Sequence, residues 1–220
     1  MTIITTNKGA REWLRQASNV PRGTFDKLER FEAMLLRETE RQNLISASTV
    51  DNLWARHFVD SAQLLVHAKR AGDGPWLDIG SGAGFPGLVI AILDPQRQIH
   101  LVESRALRCE FLARVGTDIG LDNVIIHHSR LETVSAFGAS VISARAFAPL
   151  QKLLKVSQRF STEKTLWLLP KGKNAVIELE SVPKAWQRLF HVEHSVTDPD
   201  SHLLVGLGTV DLDHRKTRNR

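Results

Sequence analysis

Apolar residues in the first third of the chain recur at helical spacing. Phe25, Leu28, Phe31 and Leu35 fall three, three and four positions apart within "TFDKLERFEAMLLRETERQ", which places them on one helix face, with Thr24 as the N-cap. A second helix is predicted to open at Ser48, with Asp51 three positions on in a capping-box arrangement. It carries Leu53, Trp54, Phe58 and Leu65. Residues 1–72 therefore read as a helical N-terminal region, and the breaker "AGDGP" at 71–75 ends it.

From residue 75 the rhythm changes to short apolar runs alternating with helical stretches. Strands are predicted at 76–79, 99–103, 124–128, 141–144, 165–169, 188–196 and 202–210, and helices at 86–93, 105–119 and 150–159. Such alternation indicates parallel strands joined by crossover helices. Only "TDPDS" separates the last two strands, which is too short for a crossover, so they pair antiparallel. The predicted fold is α/β: a seven-stranded Rossmann-like sheet with an antiparallel final hairpin, spanning 73–213 and preceded by the helical region. That arrangement is the one expected of class I, S-adenosylmethionine-dependent methyltransferases.

Composition adds limits. A chain of 220 residues suits one domain with a small appendage, and 42% hydrophobic with 24% charged residues supplies a real core. The longest aliphatic run near the glycines, "LVIAIL" (88–93), falls far short of the roughly 20 residues that span a bilayer. The opening "MTIITTNKGAREW" lacks a basic segment followed by an apolar one, so a cytoplasmic protein, monomeric and without a membrane partner, is expected. The single cysteine, Cys109, rules out an internal disulfide or a cysteine-rich metal site. A net charge of +5 is compatible with a nucleic-acid partner but does not demand one. Four of the charges sit in "HRKTRNR" (214–220), which reads as a frayed tail or as an arm that touches phosphates.

The stretch "LDIGSGAGFPG" (77–87) holds the chemistry. From Gly82 it matches the dinucleotide fingerprint G-x-G-x-x-G after a strand, with Pro86 suited to the first helical turn. Glu103, at the end of the next strand, is placed to accept from both hydroxyls of a ribose, which serves NAD and S-adenosylmethionine alike. Asp78 separates the two. A carboxylate at the strand end repels a pyrophosphate by about 1 kcal/mol or more when partly buried, whereas it attracts a sulfonium and an ammonium. The methyl donor is favoured.

Absences narrow the acceptor. The position after the fourth strand reads "SARAFAPL" rather than a polar-Pro-Pro-aromatic loop, which disfavours methylation of an exocyclic amine. Cys109 lies in an amphipathic helical stretch and reads as structural, not as a nucleophile for carbon methylation. The histidine pairs at 127/128 and 191/194 are at strand spacing with no third ligand, so no metal is expected. A reaction at guanine N7, which needs no proton removed, fits a site poor in acid–base groups. A small-molecule or protein acceptor, or an NAD-dependent dehydrogenase, remains as an alternative.

The motifs "QNLIS" (42–46), "WARHFVDSAQL" (54–64), "WLDIGSGAGFPGLVIAI" (76–92), "VESRALRCEFL" (102–112), "HSRLE" (128–132), "SARAFAPL" (143–150) and "LPKGK" (169–173) follow in order. Together they resemble the RsmG (GidB) family of small-subunit rRNA guanine-N7 methyltransferases. The resemblance implies methylation of one guanine in the decoding-region loop of 16S rRNA (position 527 in standard rRNA numbering), on the RNA or the small ribosomal subunit. It implies cofactor contacts from Gly80 and Phe85, from Glu103 at the ribose, from Leu131 and Glu132 at the adenine, and from Arg145. Asp78 and Gly82 join this set from the glycine loop. Leu131 stands where the family often has a small residue, and Ile45 where it usually has threonine. Lys171, Lys173 and Phe147 follow strands on the ligand side of such a sheet, as contacts to RNA phosphates or bases or, for the lysines, as ordinary solvated charge. His57, with Asp60, either shapes the pocket or ties the helical region to the sheet.

Overall fold

Seven strands form one sheet in the computed structural model, which describes residues 3–17 and 21–210. They are β1 (Trp76–Ile79), β2 (Ile99–Glu103), β3 (Val124–His128), β4 (Val141–Ala144), β5 (Leu166–Lys171), β6 (Phe190–His194) and β7 (His202–Leu207), in the order β3-β2-β1-β4-β5-β7-β6. The first four match their predicted limits. All neighbours pair parallel except β7, which runs antiparallel to both β5 and β6. Every residue of β1, β2 and β4 is buried, as strands covered on both faces must be. Crossovers α5 (Gly87–Leu93), α6 (Ala106–Ile119) and α7 (Leu150–Ser157) fall where helices are predicted.

The N-terminal region is helical but differently divided. Helices α1 (Asn7–Ala17) and α2 (Arg22–Thr39) precede a short α3 (Ala47–Val50), a π-helical turn at Trp54–Val59 and α4 (Asp60–Ala68). Thr24 is not the cap: α2 opens two residues earlier, and the Thr24 N–H already donates to the Pro21 carbonyl. Ser48 lies inside α3, whose preceding residue is Ser46, and Asp51 follows its end, so no capping box forms. The wide turn holds a stack of Trp54 on Phe58, ring centroids 4.5 Å apart, and Phe25 of α2 also stacks on Trp54 at 5.3 Å. Phe31 of α2 then meets Phe58, Phe85 and Phe111, which joins the helical region, the glycine loop and α6 in one apolar core.

The opposite face of the sheet is covered by α7 and by α8 (Ala175–Glu180) and α9 (Lys184–Gln187). These last two are too short to show a helical period and fall where no element is predicted. The final strands are shorter than 188–196 and 202–210, and β5 runs on to Lys171, which places Pro170 and Lys171 at its C-terminal end. The basic stretch 214–220 lies outside the described residues.

Because Phe31 is fully buried among three rings from separate elements, Phe31→Ala should cost about 3–5 kcal/mol in urea unfolding. A loss under about 1 kcal/mol would show that the N-terminal helices do not share the sheet's core.

Candidate functional site

The centre of the sheet contains a polar triad in an apolar setting. Asp78 of β1 is completely buried; one carboxylate oxygen accepts from the Ser143 hydroxyl of β4 at 2.8 Å and the other from the Gly87 N–H at the start of α5 at 3.1 Å. Ser143 accepts in turn from the Trp76 indole at 2.8 Å. Burial pushes the Asp78 carboxyl up to about 6, against the pull of these hydrogen bonds and of Arg145. The direct contact of Asp78 with a ligand expected above is therefore corrected. Its oxygens are occupied by the protein, and it acts beneath the glycine loop rather than in front of it. Gly87 allows this approach, since a Cβ there would lie 2.7 Å from the carboxylate and 2.2 Å from Leu101.

Above this floor the loop turns over β2. Gly80 has φ of 71°, which favours glycine, and a Cβ on it would come within 2.7 Å of the Phe147 ring. Glu103 ends β2 and fixes the turn: one oxygen accepts from the N–H groups of Ser104 and Arg105, the other from Gly82 at 3.1 Å, with Arg108 at 3.7 Å. A cavity of about 450 Å³ opens here, lined by Gly80, Glu103, Ser129, Leu131, Glu132 and Phe147. It lies at the C-terminal ends of the parallel strands, where such sheets bind ligands.

A second cavity of about 630 Å³ lies beside it, lined by His57, Asp60, Arg145, Phe147, Lys171 and Glu178. The segment Ala146–Phe147 borders both and forms the wall between them. Ala146 holds a left-handed φ of 51°, a strained conformation for a residue with a Cβ. The strap is pinned at each end. Arg145 lies 3.5 Å from Asp60 and over the Phe85 ring, and Glu178 accepts from the Leu150 N–H and from Lys171 at 2.8 Å. Burial raises the Asp60 pKa despite Arg145 and lowers that of Arg145, so each depends on the other for its charge.

His57 stacks on Phe85, 5.0 Å between centroids, and its Nε2 lies 2.9 Å from the Thr49 hydroxyl. That hydroxyl donates to the Ser46 carbonyl, so Nε2 carries the imidazole proton and Nδ1 presents a lone pair, which has no protein partner. Burial, then Arg145 and Arg56, lowers its pKa to about 3, so the ring is neutral at physiological pH. Cys109 is buried, its thiol pushed up by burial and by Glu103 and donating to the Glu103 carbonyl. No group of acidic, histidine or cysteine residues suited to a metal occurs among the described residues.

The structure thus brings Gly80, Glu103, Leu131, Glu132 and Phe147 together around the first cavity. His57, Arg145 and Lys171 line the second, so Arg145 stands across the strap from Glu103. Gly82 and Phe85 line neither: Gly82 serves Glu103 through its N–H, and Phe85 is a buried platform under Arg145. Lys173 is exposed and lines neither cavity. Sequence reasoning missed Ser143 and Glu178. A buried serine in the apolar strand "VISA" was the available signal for the first; the second lay in a segment with no predicted element.

The family described as rRNA small subunit methyltransferase G matches residues 24–203. Ribosomal RNA small subunit methyltransferase G of Sphingopyxis alaskensis is 51% identical over 208 residues, covering 94% of this chain and 89% of the relative. Its counterpart from Novosphingobium aromaticivorans is 49% identical, covering 94% and 90%. Among solved structures, a variant of MtNAS in complex with S-adenosylmethionine shares the fold with a TM-score of 0.54 at 14% identity, over 84% of this chain and 75% of that one. Precorrin-6y C5,15-methyltransferase from Geobacter metallireducens gives 0.52 at 14% identity, over 76% and 91%.

Two outcomes follow from the buried groups. Ser143→Ala strands both the Trp76 N–H and one Asp78 oxygen, and should cost about 2–4 kcal/mol in urea unfolding. His57 should remain the neutral Nε2–H tautomer at pH 5 in imidazole ¹⁵N spectra, whereas a midpoint near 6.5 would contradict its burial. The unfolded chain binds this proton first, so His57 makes stability rise with pH between about 3 and 6.5. Asp78, held protonated by the fold, acts in the opposite sense between 3.8 and about 6.

Proposed function

The chain belongs to the rRNA small subunit methyltransferase G family, and from that premise we propose that it transfers the methyl group of S-adenosylmethionine to N7 of a single guanine in 16S rRNA. The observation that carries the cofactor assignment is the occupied Gly87 N–H. A dinucleotide needs the N–H groups at the start of the helix after the glycine turn for its pyrophosphate, and here Asp78 already holds the first of them. A sulfonium compound makes no such demand. Its binding in a solved neighbour of the same fold, the MtNAS variant, supports the reading.

The first cavity suits an adenosine. Glu103 would accept from the ribose hydroxyls while keeping its bonds to the loop, and Leu131 and Glu132 would flank the base. Gly80 would set the methionine end, with Gly82 and the buried Phe85 behind it, and Arg145 would close it across the strap. The bound cofactor supplies a methyl group on a positively charged sulfur. The second cavity would take the guanine, with Phe147 as a stacking surface and His57 and Lys171 in the wall.

The protein has little acid–base work to do. The guanine N7 lone pair is free before the reaction, so alignment and exclusion of water are what the site must provide. The weakly basic His57 and the raised, hydrogen-bonded Cys109 thiol agree with a reaction that abstracts no proton and uses no thiol nucleophile. No helix among the described residues is long and apolar enough to cross a membrane. The proposed substrate places the protein with the ribosomes of the cytoplasm.

Incubation with S-adenosylmethionine and small subunits that lack the modification should yield one N7-methylguanosine per 16S rRNA by nucleoside mass spectrometry. A methyl group at any other position, or none, would overturn the assignment. Glu103→Gln removes a charged acceptor shared by loop and ribose, and should weaken S-adenosylhomocysteine binding about tenfold in calorimetry.

A further inference from the structure

The two cavities differ in how their charges are matched, and in the opposite sense to their proposed ligands. In the second cavity every arginine and lysine in the lining has a carboxylate partner: Arg56 pairs with Asp198, Arg145 with Asp60 and Lys171 with Glu178. The first cavity is lined by Arg105, Arg108, Arg130 and Lys152 against Glu103 and Glu132. Of these cations only Arg108 approaches a carboxylate, at 3.7 Å, and Glu103 is already engaged by three backbone N–H groups. Arg105, Arg130 and Lys152 are exposed and have no carboxylate partner among the described residues.

A cofactor whose sulfonium and ammonium outweigh its one carboxylate gains little from a crevice ringed by free cations. A polyanion passing over it does. A base turned out of its stack is neutral and leaves its phosphates behind, so the cavity that receives it needs internally balanced charge, while the backbone needs unpaired charge outside. The strap Ala146–Phe147 is the ridge shared by both cavities, and Lys152 follows it on α7, so the free cations lie immediately across that ridge.

We propose that the phosphodiester backbone of the substrate RNA crosses the mouth of the Glu103 crevice on Arg105, Arg130 and Lys152, while the target base alone enters the second cavity. This rests on the rRNA methyltransferase reading given above. RNA then roofs the cofactor crevice.

The test compares the full chain with a triple variant, Arg105→Gln, Arg130→Gln and Lys152→Gln. A control removes three exposed charges near the N-terminal ends of the parallel strands, by Lys69→Gln, Arg70→Gln and Lys164→Gln. Binding of a 16S rRNA transcript is titrated across a salt series, and S-adenosylhomocysteine binding is measured on the same samples. The triple variant should bind RNA at least tenfold more weakly than the control, with the log–log salt slope reduced by about two to three, roughly one per phosphate contact. Its affinity for S-adenosylhomocysteine should change far less than its affinity for RNA. RNA affinity and slope equal to the control would overturn the proposal. So would a parallel loss of S-adenosylhomocysteine binding, which would assign the cations to the cofactor. Failure of the unaltered protein to form N7-methylguanosine would remove the catalytic reading instead, and the RNA titration reads independently of it.

Discussion

A carboxylate with no access to water organises this site. Asp78 joins three elements that are distant in sequence: the end of β1, the first N–H of α5 and, through Ser143, the middle of β4. An ionised group at full burial survives only where its acceptor positions are filled, and here a hydroxyl and a backbone N–H fill them. The glycine turn above inherits its shape from this clamp. Glu103 repeats the device one strand away, holding the same turn through Gly82 and the start of α6 through Ser104 and Arg105. Two carboxylates thus fix a loop whose glycines would otherwise leave it loose.

The strap after β4 completes the arrangement by dividing the space above the sheet. It separates the cavity proposed for an adenosine from the one proposed for a base, and its ends are tied by Arg145 to the helical region and by Glu178 to α7 and β5. In the proposed reading, methyl transfer between the two cavities requires that the wall at Phe147 admit contact across it. The N-terminal helices are therefore part of the site as well as part of the core. His57, Asp60 and Arg56 reach the second cavity from the π-helical turn and the start of α4, and the same turn carries the aromatic stack that docks α2. Charge follows the same division, with balanced pairs where a neutral base would sit and free cations where phosphates would pass.

The parts of this structure that were legible in the sequence are those governed by local pattern. The strands β1 to β4 are short apolar runs bounded by breakers, and their limits could be read directly. The glycine turn and Glu103 carry a spacing tied to adenosine binding. What escaped depends on contacts between distant segments. Nothing local says that the acid in "WLDI" faces a serine 65 positions on rather than a ligand. The caps at Thr24 and Ser48 failed because the entry angle of the chain, set by Pro21 and Ser46, decides where a helix opens. Helices as short as α8 and α9 show no period, so the Glu178 latch stayed hidden with them.

In the reading proposed above, the Asp78–Gly87 clamp leaves the crevice open to an adenosine that carries no phosphate, whether sulfonium or thioether, and closed to a diphosphate. Calorimetric titration of the full chain with S-adenosylhomocysteine and, separately, with NADH tests it most directly. The account predicts saturable one-to-one binding of S-adenosylhomocysteine and no measurable uptake of NADH at millimolar concentration. Tight binding of NADH that S-adenosylhomocysteine fails to displace would contradict it.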